Sequence, residues 1–295
     1  MDTDKTASGQ LVGVAAADFD LALTLDCGQA FHWRRHGAGW QGMIGDAPCY
    51  AEQRGETLLV PAGLEEIASR YFSLDHPLAA IRASFPRDPR LDAASAHCRG
   101  LRILRQPRWE CIASFITSTQ KAVPHIAQIS HTLRARFGQR AEWLGEPLHA
   151  YPTPSAIAVL TENDLRACAL GYRAKTFLGA ARKIDSGECD LDSLASLGDD
   201  ALRDALCALP GVGVKVANCA LLFTYERLGS VPIDVWIARI LRESYLARRR
   251  KLTPAKMRDF AASYFGPYAG YAQQYLFHHA RWEKARAKVA QASRL

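Results

Sequence analysis

The period of hydrophobic and polar positions changes near residue 64. Between about 17 and 62, short alternating runs such as Phe31-His-Trp-Arg34, Gly39-Trp-Gln-Gly-Met-Ile44 and Thr57-Leu-Leu-Val60 are separated by Gly, Pro and Asp. A period of two between turn residues predicts strands of an antiparallel sheet. From Leu64 onward the period is helical, as in Leu64-Glu-Glu-Ile-Ala-Ser-Arg-Tyr-Phe72 and Cys111-Ile-Ala-Ser-Phe-Ile116, with joints at Gly138, Pro152, Gly171, Pro210 and Pro254. Residues 1–15 are small and polar and are expected to be poorly ordered. The chain shows no internal repeat and no low-complexity segment. The pattern therefore predicts an α+β architecture. A small antiparallel β-sheet domain over residues 16–107 leads into a mostly helical domain over 108–290.

One break in the helical region carries chemistry. Leu209-Pro-Gly-Val-Gly-Val-Lys215-Val-Ala-Asn-Cys219 joins a helical pattern at Leu202, Leu206 and Leu209 to another at Val216, Ala220 and Phe223. This reads as a helix-hairpin-helix. Gly211 and Gly213 permit the turn, and the second helix opens at Val214 with unpaired N–H groups facing outward, a natural seat for a phosphate. After an apolar helix comes Val231-Pro-Ile-Asp234-Val-Trp236. Asp234 stands where a helix N-cap belongs, and alone it would be read as one. Beside Lys215 it gains a second use, since a carboxylate can stabilise positive charge developing on a sugar while an amine attacks. Attack requires the neutral amine, which partial desolvation and the positive end of its own helix favour. Capping is expected to orient the carboxylate and favour its ionised form.

Charge supports a polyanionic partner. The chain of 295 residues carries a formal +7, but residues 201–295 hold 16 Lys/Arg against 6 Asp/Glu, a net +10, leaving −3 for the rest. The basic third contains the hairpin, which favours nucleic acid, although Arg248-Arg249-Arg250-Lys251 could also be a solvated loop. Eight cysteines form no CxxC pair and are expected to be reduced and mostly buried. No stretch has the length and apolarity of a membrane span, and Met1-Asp-Thr-Asp4 lacks the charge pattern of a signal peptide, so an intracellular protein with no membrane partner is expected.

The hairpin, Lys215 and Asp234 together resemble the base-excision DNA glycosylases of the helix-hairpin-helix superfamily, in which a lysine at this position marks members that also cut the strand. Further motifs follow in the order of the 8-oxoguanine DNA glycosylase family: Cys27-Gly-Gln-Ala-Phe-His-Trp33, Leu104-Arg-Gln106, Leu170-Gly-Tyr-Arg-Ala174 and Gly266-Pro-Tyr-Ala-Gly-Tyr-Ala-Gln273. The similarity spans roughly residues 17–282. It implies a bifunctional enzyme of base excision repair that flips 8-oxoguanine out of duplex DNA. Lys215 would displace the base through a Schiff base, and β-elimination would then nick the strand. It further implies that the Gly28 carbonyl accepts the N7–H that oxidation creates, that Gln273 reads the base edge, and that Phe277 and Cys219 hold the base between them. Gln273 and Phe277 are four apart, so one helix face presents both. Taken alone, Gly28 is a turn glycine, and Cys219 and Phe277 are core residues.

Opposite the lesion, the resemblance places Gln120, in Ser118-Thr-Gln-Lys-Ala122, as the residue filling the gap, Tyr172 as an intruding ring and Arg173 as a donor to the orphaned cytosine. The family's second cytosine-reading arginine falls on His125, which implies a weaker preference for cytosine. Trp236 stands in place of a phosphate-contacting histidine and is expected to pack instead. The DNA-binding set is thus Gln120, His125, Tyr172, Arg173, Gly211, Gly213 and Val214. No metal or cofactor is implied: the four-cysteine iron–sulfur loop of some relatives has no counterpart, because no cysteine follows Cys219. The expected partner is double-stranded DNA containing an oxidised guanine, bound by a monomer. Two other readings are an alkylated-base glycosylase, which uses activated water and lacks the lysine, and a non-catalytic helix-hairpin-helix DNA-binding protein, which gives Lys215 and Asp234 no joint purpose.

Overall fold

A computed structural model describes residues 9–119, 121–247 and 252–292. A five-stranded antiparallel sheet is built from β1 (Leu11–Ala15), β2 (Arg34–His36), β3 (Gly39–Ile44), β4 (Ala47–Arg54) and β5 (Thr57–Pro61), in the spatial order β1-β5-β4-β3-β2. The two-residue loops Gly45-Asp46 and Gly55-Glu56 set the registers Ile44↔Ala47 and Arg54↔Thr57. Strand β1 corrects the expectation that residues 1–15 lack order. Its alternating Val12 and Val14 pack on the sheet's core while its backbone pairs with β5. Residues 1–8 lie outside the described residues. Phe31 and Trp33 also depart from the strand reading, because β2 begins only at Arg34. They are core plugs in a loop, and Trp33 Nε1 donates to the Tyr71 hydroxyl at 3.0 Å.

Beyond the sheet the chain is helical, as its period predicts, with one exception. Arg140–Trp143 and Glu146–His149 form a hairpin that packs against β3 and β4. Four-residue strands between long helices are too short to show an alternating period. No helix among the described residues is long and apolar enough to cross a membrane.

Two hydrophobic cores meet along residues 101–107. Leu104 belongs to the core beneath the sheet, whereas Leu101 and Ile103 belong to the larger core among the helices. Helices Leu78–Ala83 and Pro89–His97, although early in sequence, also line the larger core, and the latter packs on the C-terminal helix Ala269–Ala292.

Glutamine side chains fasten this seam. Gln29 donates through Nε2 to the carbonyls of Thr24 (3.0 Å) and Arg102 (2.7 Å), and its Oε1 accepts from Leu104 N at 2.9 Å. Gln106 donates to the Gln29 carbonyl at 2.9 Å, and its backbone N–H reaches the Phe223 carbonyl at 2.8 Å. The loop that carries Gly28 is thus tied to the end of the hairpin's second helix, Val214–Phe223. Both side chains are buried, so water cannot replace a lost partner. Gln29→Leu strands the Arg102 carbonyl and the Leu104 N–H and leaves the Thr24 carbonyl only the weak Cys27 thiol donor; denaturant titration should show a loss of about 3 kcal/mol, the unpaired buried groups sharing a partly relaxed site.

Candidate active site

The hairpin consists of helix Asp199–Cys207, the turn 208–213 and helix Val214–Phe223. Leu202 and Leu206 are buried on the first helix, and residues 216–223 are buried on the second. Gly211 has φ +81°, and a Cβ there would come within 2.9 Å of Thr176 Oγ1 and 3.2 Å of Ile116 Cγ2, so this turn demands glycine. Gly213 enters the helix with extended backbone and no capping side chain, and a Cβ on it would meet open space. Val214 follows at 46% exposure. The helix start therefore faces solvent, a geometry that suits an anion.

Lys215 points the other way. Its half-buried amine donates to Ser118 Oγ at 3.0 Å and lies 4.8 Å above the Phe115 ring. Cys219, one turn further along, is buried, and burial pushes its thiol up to about 11 against the opposing pull of Lys215. Asp234 caps helix Val235–Ile240, accepting from Ile237 N at 2.8 Å. Its ionisation runs against the sequence expectation: burial raises its carboxyl above the ordinary value, outweighing the backbone bond from Ile237 and the charges of Lys215 and Arg281. Desolvation of a half-buried carboxylate is a tertiary effect that a capping pattern does not disclose. The result is an amine, a thiol and a carboxylate held in mutual electrostatic contact, the thiol buried and the other two half-buried.

The residues expected to face the base come from the two ends of the chain. Gly28 has φ +84°, and a Cβ on it would lie 3.5 Å from Phe277 Cε1, 3.3 Å from Val123 Cγ2 and 3.0 Å from Arg281 Nη1. Gln273 and Phe277 are both buried on the C-terminal helix, and Gln273 Oε1 has no partner among the described residues. Its neighbour Gln274 donates to the Cys27 carbonyl at 3.1 Å, fixing the loop to this helix. Arg281 links the two halves: its guanidinium lies 5.3 Å from the Phe277 ring centre and within electrostatic reach of Asp26, beside the Gly28 loop, and of Asp234. The sequence reading missed Arg281, whose only signal was its place one turn beyond Phe277.

The residues expected at the opposite strand are less gathered. Tyr172 is 66% exposed, with the Arg173 guanidinium 4.4 Å from its ring centre. Arg173 is buried and donates to the Thr119 carbonyl, so its tip is engaged by the protein. His125 is exposed, with Lys121 Nζ 3.3 Å from its Nε2. Gln120 and the run 248–251 lie outside the described residues. Trp236 is half-buried beneath Lys284, whose Nζ lies 4.9 Å from the ring centre. All eight cysteines are free.

Comparison with known proteins points in one direction. The family profile described as 8-oxoguanine DNA glycosylase, N-terminal domain, matches residues 11–112. The chain is similar to the probable N-glycosylase/DNA lyase of Methanothermobacter thermautotrophicus, 30% identical over 91% of this chain and 95% of that one. It is also similar to the Clostridium acetobutylicum 8-oxoguanine glycosylase/lyase solved with dsDNA containing cytosine opposite to 8-oxoG, with 30% identity, a TM-score of 0.86 and coverage of 92% and 98%. A 3-methyladenine DNA glycosylase from Archaeoglobus fulgidus shares the fold, with a TM-score of 0.75, 20% identity and coverage of 92% and 98%.

Two measurements check this geometry. Gly28→Ala places a side chain at positive φ and crowds Val123 and Arg281; it should destabilise the protein by about 1–3 kcal/mol in denaturant titration. Asp234 has a folded-state pKa above its ordinary 3.8, so its contribution is most favourable below that value and is lost as pH rises through the folded value. Asp234→Asn keeps a capping oxygen and removes the buried charge. Its melting temperature should equal or exceed that of the wild type at pH 7, with the difference shrinking towards pH 3.

Proposed function

Because the chain belongs to the 8-oxoguanine DNA glycosylase family, we propose that Lys215 and Asp234 are the residues with which it excises 8-oxoguanine from duplex DNA and then nicks the strand. The enzyme is a DNA N-glycosylase with lyase activity, and it binds DNA. The observation that carries the residue assignment is the convergence of Lys215, Cys219 and Asp234 with Gly28 and Phe277 through the shared neighbour Arg281. The fold alone does not choose the lesion, since a 3-methyladenine glycosylase has it too. Lys215 makes the choice of chemistry.

In this reading Gly211, Gly213 and Val214 present the hairpin's N–H groups to a phosphate beside the lesion. The nucleotide turns out of the stack. Gly28 accepts the N7–H, Gln273 reads the opposite edge of the base, and Phe277 and Cys219 flank its faces. A site that offers an acceptor penalises normal guanine, whose N7 carries no hydrogen and would leave that acceptor unpaired. Neutral Lys215 attacks C1′; the electron pair of the C1′–N9 bond leaves with the base, which takes up a proton. Opening of the C1′–O4′ bond, with transfer of the amine proton to O4′, gives the Schiff base. Loss of a C2′ proton then expels the 3′-phosphate. Asp234 stabilises the cationic sugar as the base departs, and its cap bond holds the carboxylate in place.

On the other strand, exposed Tyr172 intrudes at the orphaned base, Arg173 supplies the cytosine donor after release from Thr119, and His125 and Gln120 take the remaining contacts. With one arginine where the family pattern has two, discrimination falls to what one base contact supplies. The protein acts inside the cell as a monomer.

A single assay tests these assignments: cleavage of a duplex with one 8-oxoguanine opposite each of the four bases. The wild type should nick all four, favouring cytosine by about 10-fold, the worth of one well-made base contact. Lys215→Gln should give neither a nick nor a borohydride-trapped complex. A trapped complex in that variant would overturn the role of Lys215.

A further inference from the structure

We infer that Arg281 is a further specificity-determining residue of the base pocket, with Nη1 donating to a carbonyl oxygen that flanks N7 of the flipped oxidised purine. The inference rests on the proposed excision of 8-oxoguanine and adds a contact to it. Three observations place the guanidinium. Nη1 lies 3.0 Å from where a Cβ on Gly28 would be, next to the backbone assigned to the N7–H. The guanidinium stands 5.3 Å from the centre of the Phe277 ring, which orients it against an aromatic face that also borders Gly28. Nη1 is itself buried, with no hydrogen-bond partner among the described residues.

A buried guanidinium nitrogen without an acceptor is costly, and a site that maintains one invites a ligand to supply the acceptor. The ionisable groups around it are the carboxyls of Asp26 and Asp234 and the Cys27 thiol, which burial pushes up to about 11 and keeps neutral; none of them hydrogen-bonds Nη1. The chemistry of the base fits the position. In 8-oxoguanine, N7 sits between C8=O and C6=O, so a donor beside the acceptor of N7–H faces a carbonyl oxygen on either side. Donor and acceptor side by side in the protein then match acceptor and donor side by side in the lesion. Normal guanine reverses the N7 part of that match, offering an acceptor to the Gly28 carbonyl. A guanidinium suits the task because it remains charged when buried and donates in a fixed plane.

The discriminating substrate is a duplex with a preformed abasic site, which has no base for Arg281 to touch but still requires Lys215. Single-turnover rates of Arg281→Met and Arg281→Lys are compared with wild type on 8-oxoguanine duplex and on abasic duplex. For Arg281→Met, excision of 8-oxoguanine should fall about 10- to 100-fold further than cleavage of the abasic duplex, the range for a hydrogen bond from a charged donor; a loss common to both substrates reports its charge near Asp234. Arg281→Lys, which keeps a charged donor and preserves the fold should the methionine fail to, should show a smaller loss with the same selectivity. Equal losses on both substrates would make Arg281 a structural or general electrostatic support and overturn the inference. So would unchanged excision of 8-oxoguanine. A wild type that cuts the abasic duplex but leaves 8-oxoguanine in place would instead refute the underlying substrate assignment.

Discussion

The buried amide of Gln29 is the constraint on which the site's geometry depends. It spans the seam between the two cores, bonding to Thr24 on the short helix Leu21–Asp26 just before it and to Arg102 and Leu104 on the connecting segment. Gln106 completes the joint by holding the Gln29 carbonyl while its backbone reaches Phe223. Gln274 adds a third tie, from the C-terminal helix to the Cys27 carbonyl. Neutral amides can be buried at modest cost when every donor and acceptor is matched, whereas a charge at the same place would carry a heavier desolvation penalty. The loop between these ties has little freedom, and Gly28 is therefore fixed against Phe277.

Burial also governs the chemistry. The same exclusion of water that raises the Asp234 carboxyl and the Cys219 thiol strengthens each charge interaction among Lys215, Asp234 and Arg281. The exposed side of the hairpin is different: Gly213 and Val214 face solvent, where backbone donors can meet a phosphate. One ten-residue helix thus presents solvent-facing backbone N–H groups at its start and the Lys215 amine on its inner face. In the proposed chemistry, a phosphate held at the helix start would place the sugar beside that amine.

Legibility in the sequence followed the range of the interactions involved. The hairpin and the Asp234 cap are local, so a spacing of Leu, Gly and Asp disclosed them, and the structure shows the cap bond directly. Gly28 and Phe277 lie at opposite ends of the chain, and no period links them; the order of motifs in a known family did. What remained hidden was set by tertiary surroundings. Arg281 on a charged amphipathic helix looks like a solvated side chain until the fold brings Gly28 to it. The upward shift of Asp234 arises from burial, which only the folded surroundings supply. β1 was missed because a short run of small residues looks unstructured until β5 pairs with it. Gln29 and Gln106 appeared as parts of two motifs, and only the structure shows that they hydrogen-bond to one another.

The central claim is that the amine of Lys215 becomes bonded to the sugar from which 8-oxoguanine is removed. Borohydride reduction during turnover on an 8-oxoguanine duplex, followed by nuclease and protease digestion and mass spectrometry, locates that bond. A sugar-derived mass is expected on the peptide containing Lys215. The same mass on Lys121, Lys284 or any other amine, with Lys215 unmodified, would contradict it.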